Sequence, residues 1–588
     1  HVRSRRQRQM CIRDRPRRLV ARATRLYFTI QRQMLEPAAL RTAVAHGLKL
    51  EQLSRSFVLA AEKPPNWPMF KSETLQMEQL DIPFFVHLID GEELPLPGGL
   101  EPIPQFMKSS GLHAARRRLE TLDSVEIDFQ QQLIRGAIAA RHLKFSSSRP
   151  TDAPTRPNWS PAQDQVDLLP SDGYRQEAFR LADQLWSASI RDRKGRPEWL
   201  GMDLGVDGES FHFGLIGNSL YAGVSGLALL FARLALTQLN ETTKDGAWRS
   251  RAWSCFEGFA DIAARNSNDQ LFRMMRDLPF GISGSGGIIL ALTMLQQAGI
   301  GESALLVDLM IDQLRPERLL ADEGVDVIAG VSGLIGPLLF TGQARSLELA
   351  VVCGERLLAL QDKNGGWPPG AASASQRKPA LTGFSHGAAG MAAALAKLAQ
   401  ASGESRFADA AQRALGYERS VFVAERGNWP DFRSTTEPDA FMVSWCHGAP
   451  GILLSRLVLE AAGQADHHTN HELEVARNST IEALERSRRG EGFAAHLCCG
   501  VLGLSSLLRV DAQATGNPLA PQVPTAESTV VAESSATGDY TFFSVDTGSL
   551  NLPGLFTGKA GVALALLEAG EGLRWLPAVL SAGLLGPR

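Results

Sequence analysis

From about residue 220 onward, short runs rich in Ala and Leu alternate with longer charged stretches at a steady interval. Most of the apolar runs follow a Gly-x-x-Gly pair. Gly387 and Gly390 lead into Met391-Ala392-Ala393-Ala394-Leu395, and Gly448 and Gly451 lead into Ile452-Leu453-Leu454. Seven copies of the pair recur at this spacing, the first glycine at 223, 284, 330, 387, 448, 500 and 558, giving intervals of 61, 46, 57, 61, 52 and 58 residues. Self-similarity at a fixed period is the signature of a repeat architecture. An interval of about 55 residues holds two helices and their loops. Glycine at a helix start lets backbones approach closely, and the small residues after it suit inner helices crowded around an axis. Charged segments such as 346–360 and 406–417 then form the outer layer. The pattern predicts an all-α dominated chain whose larger part is an α/α toroid of seven helical hairpins.

Upstream the pattern is mixed and mostly helical. Residues 26–40 and 112–140 carry apolar positions at three- and four-residue spacing. Leu80-Asp81-Ile82-Pro83-Phe84-Phe85 reads as a short extended piece whose proline does not suit a central strand. Prolines at 150, 154, 157 and 161, mixed with serines and charges, mark a linker. The predicted organisation is a non-native start at 1–15, a partial domain at 16–145, a linker at 146–170 and the toroid at 171–588. Residues 511–551, rich in Ser, Thr, Ala and Gly, read as a long loop between repeats six and seven.

Composition narrows the function classes. The chain has 588 residues, enough for more than one full core, and a net charge of −3, which exerts no global pull toward nucleic acid or anionic membranes. The most apolar stretch, 215–236, is interrupted by Asn218, several glycines and Arg233, so it does not read as a membrane span. The N-terminus has no apolar core after its charges, which makes the bacterial cytoplasm the default location. Its first 25 residues hold ten arginines and one acid. Against a nucleic-acid-binding arm stands the stretch Arg8-Gln9-Met10-Cys11-Ile12-Arg13-Asp14-Arg15, which resembles a translated sequencing-adaptor junction. On that reading the natural chain extends further upstream.

Three of the six cysteines fall in two short segments, Ser444-Trp445-Cys446-His447-Gly448 and His496-Leu497-Cys498-Cys499-Gly500. Thiolates are preferred zinc ligands, and a catalytic zinc takes three protein ligands and keeps one position open. Cys446, Cys498 and Cys499 fill such a set, with His496 a substitute candidate. Adjacent Cys498 and Cys499 do not easily form a disulfide with each other, and a cytosolic context favours metal binding. In a toroid every Gly-x-x-Gly turn lands at the same end of the inner layer. Asp326, His386, Cys446, His447, Cys498 and Cys499, which precede the third to sixth turns, therefore converge on one mouth. The bland alternative makes each an isolated capping or core residue.

These blocks, Asp326-Val327-Ile328-Ala329-Gly330, Ser385-His386-Gly387, Trp445-Cys446-His447-Gly448 and Cys498-Cys499-Gly500, resemble the signatures of lanthionine synthetase C-like cyclases from about Tyr174 to the C-terminus. The upstream Arg18-x-x-x-Arg22-x-Thr24-x-x-Tyr27, the 80–85 piece and the 129–141 helix are similar to the end of the dehydratase domain of class II lanthipeptide synthetases. The resemblance implies two-stage modification of a ribosomally made precursor peptide. Ser and Thr are phosphorylated from ATP with Mg²⁺ and lose phosphate to give dehydroalanine or dehydrobutyrine; cysteine thiols then add across the alkenes to make thioether rings. By resemblance Arg18 and Thr24 match positions of phosphate elimination. No ATP- or Mg-binding constellation is visible, so those cofactors belong to an intact parent dehydratase, and the Asp-Phe pairs at 128–129 and 431–432 lack supporting context. A monomer and an association with a membrane export complex complete the expected partners; nucleic acid is not among them.

The cyclase chemistry follows from residue types. A cysteine thiol, with a pKa of about 8.5, is mostly protonated at neutral pH, and Zn²⁺ with an open position would bind it as thiolate. Addition generates an enolate that must be protonated on carbon. His386 is the candidate acid, Asp326 its orienting partner or an acceptor of the thiol proton, and His447 an enolate stabiliser or a support for Cys446. The usual family pattern has Cys-His at the sixth motif, whereas Cys498-Cys499 supplies three thiolates and implies a more reactive centre. Competing readings are a prenyltransferase-like toroid that also activates thiols, a glycosidase toroid, which needs a second acid beside Asp326, and a zinc-stapled peptide-binding scaffold.

Overall fold

The computed structural model describes residues 17–142, 166–204, 211–237, 244–264, 273–368, 379–433, 440–489, 494–542 and 550–586. The expected non-native start and most of the expected linker lie outside these residues. The chain forms two compact units, 1–130 and 131–588.

In the first unit, strand β1 (Arg17–Leu19) pairs antiparallel with β2 (Phe85–His87), so the 80–85 piece runs into a two-stranded ribbon rather than a central strand. Helix α1 (Thr24–Met34) buries Tyr27, Ile30 and Met34, one face at helical spacing, against Leu50, Leu53 and Met77. Arg22, just ahead of α1, donates to Glu73 Oε1 (2.8 Å) and Oε2 (3.1 Å) and to the Leu53 carbonyl (2.8 Å). The Tyr27 hydroxyl reaches the same buried carboxylate at 2.5 Å. Two residues of the upstream motif therefore lock the start of α1 onto α2 (Met69–Glu78), which carries Glu73.

The second unit is a ring. Its inner helices are Val224–Ala235, Ser285–Gln297, Ser332–Phe340, Ala388–Ser402, Ala449–Ala461, Val501–Thr515 and Lys559–Glu571. Each packs on the next, and the last packs on the first, which closes the circle. Outer helices pack on them in turn, including Ala344–Leu360 and Ser405–Val421 where charge patterning placed them. The outer partner of the last inner helix is Ser171–Ser187, which precedes every Gly-x-x-Gly pair, so the two ends of the repeat array are laced together. The buried Arg233–Glu568 ion pair (3.1 Å) sits at the same closure.

Residues 511–551 are not a loop throughout. Val501–Thr515 runs through their first part, and Gln522–Thr537 is the outer helix of repeat six. Its Ser, Thr and Val are weak helix formers, but Val523, Ala526 and Val530 share one buried face, and packing overrides propensity. No helix among the described residues is long and apolar enough to cross a membrane.

The glycine pairs are explained by close approach. A Cβ on Gly333 would lie 1.9 Å from the Val327 carbonyl oxygen, six residues upstream; only glycine lets the loop wrap this tightly onto the helix start. Gly448 adds a backbone constraint, with φ at +79°.

Behind the fourth and fifth loops lies a buried charge network. Arg456 donates to Glu418 and Glu472, each at 2.8 Å, with Arg456 and Glu418 fully buried. Arg456→Met should destabilise the ring by roughly 3–5 kcal/mol by leaving Glu418 buried without its partner. Thermal unfolding of the variant checks this; an unchanged midpoint refutes it.

Candidate metal centre and catalytic cleft

The loops that precede the inner helices are stitched to one another by backbone hydrogen bonds. Ser283 N–H donates to Ile328 O (2.9 Å), Val327 to Ser385 (3.0 Å) and Ser385 to Cys446 (3.2 Å). Beyond the sixth motif, Cys498 donates to Phe556 and Phe556 to Tyr221, each at 2.9 Å. This belt holds the residues ahead of each turn side by side at one end of the ring. Among the described residues no backbone bond joins the fifth loop to the sixth. The cysteine cluster spans that seam.

Cys446 Sγ lies 3.3 Å from Cys499 Sγ, and Cys499 Sγ lies 3.3 Å from Cys498 Sγ. All three sulfurs are within 4.8 Å of one another, and these are the group of His, Cys, Asp or Glu side chains among the described residues that can share a metal ion. Zn–S bonds of ~2.3 Å in a tetrahedron put sulfurs about 3.8 Å apart, so the three cysteines fit zinc with small adjustments. The sulfurs already share protons. Hydrogen bonds from Cys498 and Cys499 hold Cys446 well below the usual thiol range, and the same bonds push those two up. The five described cysteines form no disulfide.

His496 is not in the cluster. Its Nδ1 accepts the Cys499 backbone N–H at 3.1 Å, which makes it a brace for the Cys498-Cys499 turn instead of a ligand. Burial pushes it down to about 4, so it is neutral at physiological pH.

Next to the sulfurs, Asp326 Oδ2 accepts from His386 Nδ1 at 2.7 Å. Oδ1 is held by the Ala329 and Gly330 N–H groups at 2.7 and 3.1 Å, so the carboxylate is fixed from its own loop. Burial alone would lower the His386 pKa, but the Asp326 charge and hydrogen bond outweigh it and raise it. The side chains stay 34% and 24% exposed, so the pair is partly open to solvent. His447 is the opposite case. It is 1% exposed, its ring is 5.7 Å from that of His386, and its Nε2 is buried with no hydrogen-bond partner among the described residues. Burial pushes it down to about 4, so it meets the site as a neutral imidazole.

Five further residues belong here that motif reading missed. Ser444 Oγ is 3.1 Å from Cys446 Sγ. Tyr221 is stacked on Phe556 (centroids 5.0 Å apart), and burial together with the neighbouring Cys498 and Cys499 keeps its phenol protonated. Arg433 is tied to Asp431 (Nη2 to Oδ2, 2.6 Å); burial opposes its charge, but that bond and the charges of Asp431, Cys446 and Cys499 outweigh it and raise its pKa. Asp322 feels the charge of Asp326 and is pushed up to about 6, chiefly by burial. It sits on the same loop as Asp326 rather than across a cleft, which is not the arrangement of paired glycosidase acids. Tyr221 was findable: it stands two residues before its glycine, as Cys446 and Cys498 do before theirs. Arg433 had no such signal.

In the upstream unit, Thr24 is exposed as the first residue of α1, and Arg18 lies in β1 opposite Val86.

A sequence profile of lanthionine synthetase C-like proteins matches residues 215–578, and one of a domain of unknown function, DUF4135, matches residues 5–87. No curated protein matches the sequence. Among solved structures, nisin cyclase is similar at 18% identity over 63% of this chain and 94% of its own, with a TM-score of 0.49. An unsaturated glucuronyl hydrolase from Bacillus sp. GL1 is similar at 14% identity over 59% of this chain and 97% of its own, with a TM-score of 0.36. Likeness at that level does not choose a chemistry.

Proposed function

Because the chain belongs to the lanthionine synthetase C-like family, whose reaction is lanthionine-ring formation in lanthipeptide biosynthesis, we propose that it closes thioether rings in a ribosomally made precursor peptide, using zinc. With the upstream match it is a synthetase of the class II type. The observation that carries the proposal is the placement of three mutually touching cysteines beside the His386–Asp326 pair at one end of the ring.

Cys446, Cys498 and Cys499 are the proposed ligands. Zinc bound there would lower the pKa of the peptide thiol and hold its sulfur at the open position. Asp326 keeps the His386 proton on Nδ1 and orients the ring, so Nε2 delivers a proton to the carbon of the enolate formed by addition. His447, neutral and with no partner on Nε2 among the described residues, is proposed to hydrogen-bond the developing oxyanion or to steady Cys446. The reaction is proposed to run in the cytoplasm, where peptide thiols stay reduced. For the upstream unit, Arg18 and Thr24 remain the proposed elimination residues, with Arg22, Glu73 and Tyr27 fixing the helix that begins at Thr24.

The test is incubation of the zinc-loaded protein with dehydrated, Cys-containing peptides, followed by thiol alkylation and mass spectrometry. Ring closure is an isomerisation, so alkylation should be lost with no change in peptide mass. Thiols that stay alkylatable across several peptides would overturn the reading.

Two further outcomes are expected. The Asp326 charge raises the His386 pKa, so in Asp326→Asn the fall in rate on the alkaline side should begin at lower pH. The same pair contributes stability that is full below the unfolded histidine range and is lost as pH rises through the folded pKa. A pH–rate profile that superimposes on the wild type would remove Asp326 from this role. Cys499→His exchanges a thiolate for a neutral ligand and should slow ring closure on several peptides alike. Unchanged rates would mean the third thiolate does not set reactivity.

A further inference from the structure

Six of the seven glycine turns close in one way. The N–H that follows the first glycine donates to a carbonyl six or seven residues upstream, as Val331 does to Gly324 (3.2 Å) and Val501 to Ala494 (2.7 Å). In the fifth turn, which carries Cys446 and His447, the equivalent partners are the Ala449 N–H and the Met442 carbonyl. They are joined through a side chain. Ala449 N–H donates to Asn428 Oδ1 at 2.8 Å, and Asn428 Nδ2 donates to the Met442 carbonyl at 3.0 Å. A carboxamide is spliced into the closing bond. Its orientation is fixed by chemistry, because Oδ1 also accepts the Trp429 N–H at 2.8 Å. A flipped amide would set its NH₂ against two N–H donors and its oxygen against a carbonyl.

We propose that Asn428 is a positioning residue for Cys446: its amide widens the fifth turn and so sets where that sulfur stands in the metal site. This rests on the zinc-cyclase reading above and concerns a residue that reading does not use. The splice holds Met442 and Ala449 apart by the width of an amide, where one direct bond would draw them together. Ser444 to His447, the stretch that seats the sulfur, lies between those two ends. The glycine registers the change. Gly448 takes φ +79°, whereas Gly223, Gly284, Gly387, Gly500 and Gly558 lie between −102° and −153°. A Cβ on Gly448 would fall 1.8 Å from the Met442 carbonyl oxygen and 2.9 Å from Asn428 Oδ1, so the widened turn admits only glycine. Asn428 is itself held fast. It is 3% exposed, and its carbonyl accepts the Val423 N–H at 3.1 Å. Two residues on, the Pro430 carbonyl accepts the Thr382 hydroxyl from the fourth loop at 2.7 Å. The Cys446 carbonyl is pinned to that same loop by the Ser385 N–H (3.2 Å). With that side of the loop fixed, the closure decides how far Cys446 Sγ reaches across the seam toward Cys499 Sγ, 3.3 Å away.

The test is Asn428→Ala in the full chain, read in three ways. Without the amide the turn closes directly on Met442, as its six counterparts close, or leaves both groups unpaired. Either way Cys446 moves. Zinc affinity, measured by chelator competition, should fall by roughly 10–100-fold, the usual effect of losing a group that orients a ligand. The visible d–d bands of the cobalt(II)-loaded protein should shift, because they report the geometry of the bound sulfurs. In the metal-free chain, diamide as the oxidant should convert the Cys446 and Cys499 thiols to a disulfide, which peptide mass spectrometry maps. Asn428→Ala should form that crosslink several-fold more slowly. Unchanged bands and an unchanged crosslinking rate would overturn the proposal even if the thermal midpoint falls, since Asn428 would then serve the fold alone. Should Asn428→Ala not fold, Asn428→Gln decides. It keeps both amide groups on a longer arm and should displace the bands and slow the crosslink in the same way. A wild-type chain that binds neither zinc nor cobalt would instead sink the function proposed above, and the crosslinking rates would still judge Asn428.

Discussion

Cys446→Ala is expected to abolish ring closure and to weaken zinc binding by at least ~10²-fold, more than loss of an outer-shell partner would. The reason is the seam. Cys498 and Cys499 are neighbours on one loop, whereas Cys446 is the proposed ligand that reaches from the fifth loop to the sixth, where no described backbone bond does so. Two adjacent sulfurs cannot define a tetrahedral site, and the substrate position opposite them is lost with the third. Competition with a chromophoric chelator measures the affinity, and the alkylation assay measures the rings. Full zinc stoichiometry at wild-type affinity in Cys446→Ala would place the metal elsewhere. Because the bound sulfurs must be deprotonated, zinc uptake should also release protons and weaken as pH falls.

The second large effect is expected at His386. His386→Asn should slow ring closure by ~10²–10⁴-fold, the usual worth of a positioned proton donor, while zinc content and peptide affinity stay near wild type. Its Nδ1 is taken by Asp326 at 2.7 Å, and the pair is partly open to solvent, where a peptide can reach Nε2. With the acid gone, the enolate must wait for water, and the new stereocentre should form with less control. This variant separates the enzyme from the scaffold: if zinc merely staples the ring around a peptide-binding groove, His386→Asn closes rings no worse than a solvent-exposed substitution does.

Much of this site was legible in the chain before any coordinates. Asp326, His386, Cys446, His447, Cys498 and Cys499 could be gathered because each stands just ahead of a glycine pair, and a repeat puts equivalent positions at one end. His496 shows where that logic stops. Three residues from Cys499, it looked like a substitute ligand, but the tight turn imposed at Gly500 swings its Nδ1 onto the Cys499 amide. The segment 511–551 failed for a different reason. Its composition suits a loop, yet half of it is helix, and the Val and Ala face of Gln522–Thr537 is stabilised by the layer it packs on.

The features written directly in the chain are local and periodic: seven turns, the glycines they need, small residues for an inner layer, and thiols placed at two of the turns. Steric contact within a loop of six residues dictates all of that, so it is written wherever the loop is written. Which loops touch is settled only when the ring packs. Tyr221 stacks on Phe556, Asp326 grips His386, Ser171–Ser187 packs on the last inner helix, and the cysteine cluster bridges a seam in the backbone belt. Those pairings depend on the circle closing after seven hairpins, a property of how all the helices pack together that no single stretch of chain carries.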